Sequence, residues 1–158
     1  VRHLAQINVS RLKYDVDDRR VQDFVRGIRR VNHLADRSPG FQWRYADDNG
    51  VAMQTTVPGQ PNMIANLSVW DSIEALETFV WGTVHRQFFD RRAEWFDLLD
   101  TAHAAMWWVD TGTEPSLQEA LDWLDHLRAH GDTDTAFGWA YLPEATRWRA
   151  TSGTSATA

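Results

Sequence analysis

Four stretches of this chain alternate polar and apolar residues, and helical stripes separate them in an order that few folds satisfy. Leu4 to Val9 sets Ala5, Ile7 and Val9 on one side and Leu4, Gln6 and Asn8 on the other, the period-two pattern of a strand. Asp17 or Asp18 then caps a helix running to about Ala35, in which Val21, Phe24, Val25, Ile28, Val31 and Leu34 recur at three- and four-residue intervals. Ser38-Pro39-Gly40 breaks the chain, and Phe41 to Tyr45 alternates again as a second strand. Asp47 to Pro61 is polar and carries Gly50, Pro58, Gly59 and Pro61, a long loop of the kind often used for function. Asn62 to Trp70 is a third strand, with Ile64, Asn66, Ser68 and Trp70 on one face. Asp71 and Glu74 form a capping box for a helix that Gly82 interrupts, and a second helical stretch runs from about Thr83 to Leu99. Thr101 to Val109 reads as the fourth strand, and Ser116 with Glu119 opens a further helix that Gly131 ends.

The order strand, helix, strand, strand, helix, strand predicts an α+β domain. Its arrangement is the ferredoxin-like split β-α-β with a four-stranded antiparallel sheet and an extra C-terminal helix. Helices are expected on one sheet face only, the face carrying Ala5, Ile7 and Val9. The opposite face, with Gln6 and Asn8, then needs a cover, and two copies placed face to face enclose a dimeric α/β barrel. A homodimer follows as the expected assembly. Residues 1–142 form this domain, and residues 143–158 are expected to be a flexible tail, ending in Thr151 to Ala158 with nothing to bury.

A formal charge of −6 repels a polyphosphate, and Arg and Asp alternate along the helices instead of separating into a basic face, which argues against nucleic-acid binding. No apolar run approaches the length of about 20 residues that spans a bilayer, and Val1-Arg2-His3 opens straight into a strand, so a cytoplasmic, membrane-free protein is expected. The chain has no Cys, which removes thiolate metal sites and a cysteine nucleophile. Nine Trp are too many to centre in one core, since each buried indole N–H wants an acceptor, so several are expected to line a cavity or a subunit interface.

His3-Leu4-Ala5-Gln6-Ile7-Asn8-Val9, Ser38-Pro39-Gly40-Phe41-Gln42-Trp43-Arg44, Asn66-Leu67-Ser68-Val69-Trp70, the His85 to Phe96 segment and Met106-Trp107-Trp108-Val109 occur in this order. Together they resemble the DUF3291 family, a group related to the antibiotic-biosynthesis-monooxygenase superfamily of dimeric α/β barrels. The resemblance implies a barrel pocket for a small molecule. The wider superfamily includes cofactor-free quinone-forming monooxygenases and haem-degrading enzymes, the latter using an Asn on the first strand together with a Trp and a His. Asn8 stands where such an Asn would, and Trp81 with His85 imitates the other two at closer spacing than that family's pair.

From the residues themselves, Gln6, Asn8, Asn66, Ser68 and Trp70 share the supposed bare face, where a few polar groups orient an otherwise apolar ligand. The competing reading is that these amides satisfy one another. His85 lies on a stripe of phenylalanines and is the candidate general base, with a structural histidine as the alternative. His103 and Trp107 alternate on the fourth strand, and Trp43, Trp70 and Trp81 are candidates to stack on a planar ligand. Arg44 pairs either with an anionic substrate group or with an Asp. His126 and His130 are four apart, but at a helix C-terminus, where a cation suits the dipole, so no metal site is expected. The expected activity is therefore that of an enzyme on a hydrophobic conjugated or polycyclic substrate. His85 removes a proton, Asn8 and Gln6 hold the enolate oxygen, and cofactor-free oxygenation or a cyclisation follows. A non-catalytic ligand or haem carrier is the alternative.

Overall fold

The first strand is the axis of the sheet. The computed structural model describes residues 1–46, 57–82 and 84–152, leaving out the side chains of Val84, His85, Thr151 and Ser152. In it β1 (Arg2–Arg11) pairs antiparallel with both β3 (Met63–Trp70) and β4 (Ala104–Asp110), and β2 (Phe41–Arg44) adds to the outer side of β3. The order is β2-β3-β1-β4. Register sets Gln6 between Ser68 and Met106, Asn8 between Asn66 and Ala104, and Leu4 between Trp70 and Trp108. A register shift between Phe41 and Trp43 leaves Arg44 opposite Ser68. Of the loop expected from Asp47 to Pro61, residues 47–56 lie outside the described residues; Val57 is buried against the sheet.

Among the described residues, six helices surround this sheet: α1 (Gln22–Asp36), α2 (Ile73–Gly82), α3 (Val84–Asp90), α4 (Arg92–Trp95), α5 (Leu117–His130) and α6 (Thr146–Ser152). Asp18 caps a short 3-10 turn, Arg19–Val21, that feeds α1, and Ser116 caps α5 through the Glu119 amide. The α2 cap is Ser72, whose hydroxyl accepts from Ala75, one residue later than the Asp71 box predicts. Gly131 ends α5 at φ +72, a conformation that L side chains rarely adopt.

Three expectations are corrected. The helix from Thr83 to Leu99 is not continuous: α3 ends at Asp90, and Phe96 is extended, bridging Leu12 while Asp97 donates to the Arg11 carbonyl. Burial of Trp95 against Phe24 and Val21 pulls this segment onto the end of β1 and overrides its helical pattern. Residues 143–152, expected as a tail, hold buried Ala145 and helix α6, which is tied to α2 where the buried Glu77 carboxylate accepts from the Trp148 amide at 2.8 Å.

The third correction concerns the faces. Helices cover both. The Leu4, Gln6 and Asn8 face lies under α1 and α2, where Leu4, Trp70 and Met106 pack with Val31, Ala35, Leu76 and Phe79. The Ala5, Ile7 and Val9 face lies under α5, packed with Ala120, Leu124 and Leu127. Every strand residue of that core is buried within one chain, from Ile7 at 0% to Val109 at 7% exposure, so the bare face that called for a second copy does not exist.

Candidate functional site

On the α1 side of the sheet two apolar clusters are separated by a polar strip. One holds Leu4, Trp70 and Phe79; the other holds Leu12, Phe24 and Trp95; Ile28 and Phe88 touch both. Between them run Gln6, Asn8, Asn66 and Ser68, adjacent by register on β1 and β3. Amides at the centre of a sheet face are unfavourable there unless paired, and these are paired. Gln6 Nε2 donates to Ser68 Oγ at 2.8 Å and to Asn66 Oδ1 at 3.2 Å, Asn8 Nδ2 donates to Gln6 Oε1 at 3.2 Å, and the Trp70 indole donates to Ser68 Oγ at 2.9 Å.

The hydrogen-bond count assigns roles within this strip. Gln6 is buried and has spent both amide hydrogens, so it is not free to hold a ligand oxygen, the role expected of it. Asn8 and Asn66 are half-buried, and among the described residues neither Asn8 Oδ1 nor Asn66 Nδ2 has a partner. The strip therefore presents one free acceptor and free amide donors from two directly opposed residues, held in place by Gln6 and Ser68. On the helix side, the buried stripe of α1 includes Asn32, which the sequence reading passed over because it interrupts an apolar pattern.

Arg44 belongs to the same face. Its Nε and Nη2 reach Asp36 at the end of α1 at 2.7 and 3.2 Å, while its Nη1 is buried and has no partner among the described residues. Asp36 was also missed; its signal was its position as the last residue of α1 before the Ser38-Pro39-Gly40 turn, which brings β2 back beside the helix.

The other expected residues are dispersed. Trp43 and Trp107 lie on the α5 face, within the apolar cluster there. Trp107 and Trp123 each bury an indole N–H without an acceptor. His103 precedes β4 instead of lying in it, and its carbonyl accepts from Val9. Desolvation first, then the Arg92 and Arg128 guanidiniums, holds its imidazole below the ordinary histidine range. Trp81 packs edge-on against Phe89 and near Trp139 at ring distances of 5.2 and 6.3 Å, and its indole N–H is also buried without a partner. The tryptophans divide between the faces: Trp70 and Trp108 stand on this face of the sheet, Trp95 of α4 packs over its other end, and Trp43 and Trp107 stand on the opposite face.

His85 lies in α3, and its side chain is outside the described residues. The helix that carries it docks on α1 through Phe88, whose ring fills the space over Gly27; a Cβ there would lie 1.9 Å from Phe88 Cζ. That contact keeps α3 on the amide side of the sheet. Two surface grooves, one along α5 beside Trp123 and His126 and one at the turn of Pro39 and Gly40 against α2, contain none of the expected site residues. The His126 and His130 rings lie 4.5 Å apart, and among the described residues no three His, Cys, Asp or Glu are grouped to hold a metal ion. No described helix is long and apolar enough to cross a membrane.

No curated protein matches the chain in sequence. The crystal structure of PA3566 from Pseudomonas aeruginosa is similar over 72% of this chain and 97% of that one, at 11% identity and a TM-score of 0.47, a likeness too distant to carry anything across. The family described as "Domain of unknown function (DUF3291)" matches residues 3–153, nearly the whole described length, and the chain belongs to that family.

Proposed function

We propose that this protein is a small-molecule enzyme whose site is the polar strip between the sheet and α1, and whose substrate is a hydrophobic conjugated compound bearing an oxygen. The observation that carries the reading is the pair Asn8 and Asn66, half-buried and directly opposed, with amide groups left unused after the Gln6 and Ser68 hydrogen bonds are made. Apolar walls on both sides of a few fixed polar groups suit a ligand that is mostly hydrocarbon. In this reading Asn8 and Asn66 hold the substrate oxygen, Gln6 and Ser68 position them, and His85 on α3 removes the proton whose loss builds charge on that oxygen. The enolate carbon then bonds to dioxygen, giving a hydroperoxide that loses water to leave a carbonyl, or it attacks a carbonyl carbon of the same substrate and closes a ring with loss of water. No resident cofactor is required.

The strand order, with every pair antiparallel, supports a ferredoxin-like arrangement. Because α5 occupies the opposite face, a homodimer in this reading uses another surface.

Native mass spectrometry of freshly purified protein, followed by oxygen uptake with a naphthalenediol, tests the proposal. Retention of an organic compound and uptake that disappears in His85→Ala and in the Asn8→Ala, Asn66→Ala double variant support it. A compound retained but never turned over makes the protein a carrier. A Soret band with haemin makes it a haem protein. Binding of nothing, with folding intact, removes the strip as a site.

A further inference from the structure

We infer that Arg44 and Ser68 form an oxygen-recognition corner at the β2 end of this strip, and that the group they take is one carbonyl or phenolate oxygen of the ligand. The inference rests on the proposed ligand site and names the chemistry at one end of it. Ser68 Oγ accepts from both Gln6 and Trp70, so its lone pairs are used and its own proton is left to donate. Arg44 stands directly opposite Ser68 in the sheet, on the same face. Asp36 takes two of its nitrogens in a forked pair, fixing the guanidinium plane, while Nη1 stays buried and unpartnered. Two donors with no acceptor among the described residues therefore occupy adjacent positions of one sheet face, a deficit that an incoming oxygen removes.

The charge balance narrows that oxygen's class. Asp36 already neutralises most of the guanidinium charge, so a dianion such as a phosphate would meet the carboxylate as well as the arginine. A neutral carbonyl, or a phenolate carrying a single delocalised charge, meets two donors without that repulsion. Lysine in place of Arg44 keeps the charge but loses the planar fork, and it cannot serve Asp36 and a ligand at once.

The test uses 1-naphthol and naphthalene, which share a ring frame and differ by one oxygen. Binding is followed by tryptophan fluorescence, and ionisation of bound naphthol by absorbance. The wild type is expected to prefer naphthol over naphthalene by roughly tenfold, and to lower the bound naphthol pKa by about one unit. Arg44→Lys and Ser68→Ala, each checked for folding by circular dichroism, are expected to reduce both the preference and the shift severalfold while naphthalene still binds. The wild-type ionisation shift needs no variant, so a poorly folded Arg44→Lys leaves the test intact. Equal binding of the two probes with no shift overturns the inference and makes the corner a water position, while the strip stands as a site if both probes shift the Asn8 and Asn66 side-chain amide resonances. Failure of the wild type to bind either probe overturns the site and the corner with it.

Discussion

The two faces of the sheet are built from alternate residues of the same strands, yet they solve different problems. Under α5 the middle of the face is apolar, Ala5, Ile7, Val9, Leu67, Val69 and Ala105 against Leu124 and Leu127, with the buried His3 opposite Val109 at one end. Among the described residues the Trp107 and Trp123 indole N–H groups there are buried without acceptors. Under α1 the face is interrupted at its centre by four hydrogen-bonded polar side chains, of which Asn8, Asn66 and Ser68 keep unused groups among the described residues. A packed apolar layer needs no such interruption, and desolvating amides offsets stability that hydrophobic residues would supply. On the proposed reading, the α5 face is the structural half of the molecule, and the α1 face is where stability gives way to recognition.

The largest expected effect separates the faces by packing alone. Leu124→Ala removes a fully buried side chain from the α5 layer and is expected to destabilise by about 2–5 kcal/mol in urea titration. A change below about 1 kcal/mol would mean that α5 is not a fixed cover. On the α1 side, Gly27→Ala improves helix propensity but drives a methyl into the Phe88 ring, with an expected net loss of about 1–3 kcal/mol. Adding Phe88→Leu should recover much of it; no recovery would detach α3 from the α1 contact. Within the strip, Gln6→Ala strips partners from Asn8, Asn66 and Ser68 and is expected to lose about 1–2 kcal/mol, whereas Asn8→Ala stays within about 0.5 kcal/mol. Equal losses for the two would erase the distinction between a positioning residue and an available one.

The smallest effect is in pH. The folded His103 imidazole binds its proton less tightly than the unfolded one, so its neutral form contributes stability above about pH 6.5, and that contribution is lost as pH falls below it. His103→Gln is expected to flatten the decline of Tm between neutral pH and about pH 5.5. An unchanged profile would show that desolvation beside Arg92 and Arg128 has no thermodynamic weight.

Much of the fold was legible because strand and helix periods are local. The first three alternating segments, the α1 stripe, the Ser116 cap and the Gly131 stop stand where the pattern puts them, and the fourth strand begins later than expected, at Ala104. The Phe96 segment failed because a stripe of Phe and Trp satisfies a helix and an extended bridge alike until Leu12 and Phe24 are known to be its neighbours. The site divided along the same line. Alternation correctly grouped Gln6, Asn8, Asn66 and Ser68 on one face, but which face α1 covers depends on the packing of Leu4 and Trp70, which periodicity does not encode. The tryptophans scattered for a related reason: strand parity alone sends Trp107 to α5 and Trp108 to α1.

The central claim is that ligand binds at the amide strip and not at the α5 face. Side-chain amide and indole resonances, followed in 1H–15N spectra while 1-naphthol is added, test it most directly. The account predicts saturable shifts in the Asn8 and Asn66 amide signals, with the Trp107 and Trp123 indole signals unmoved. Shifts confined to those two indoles, with the amides silent, would contradict it.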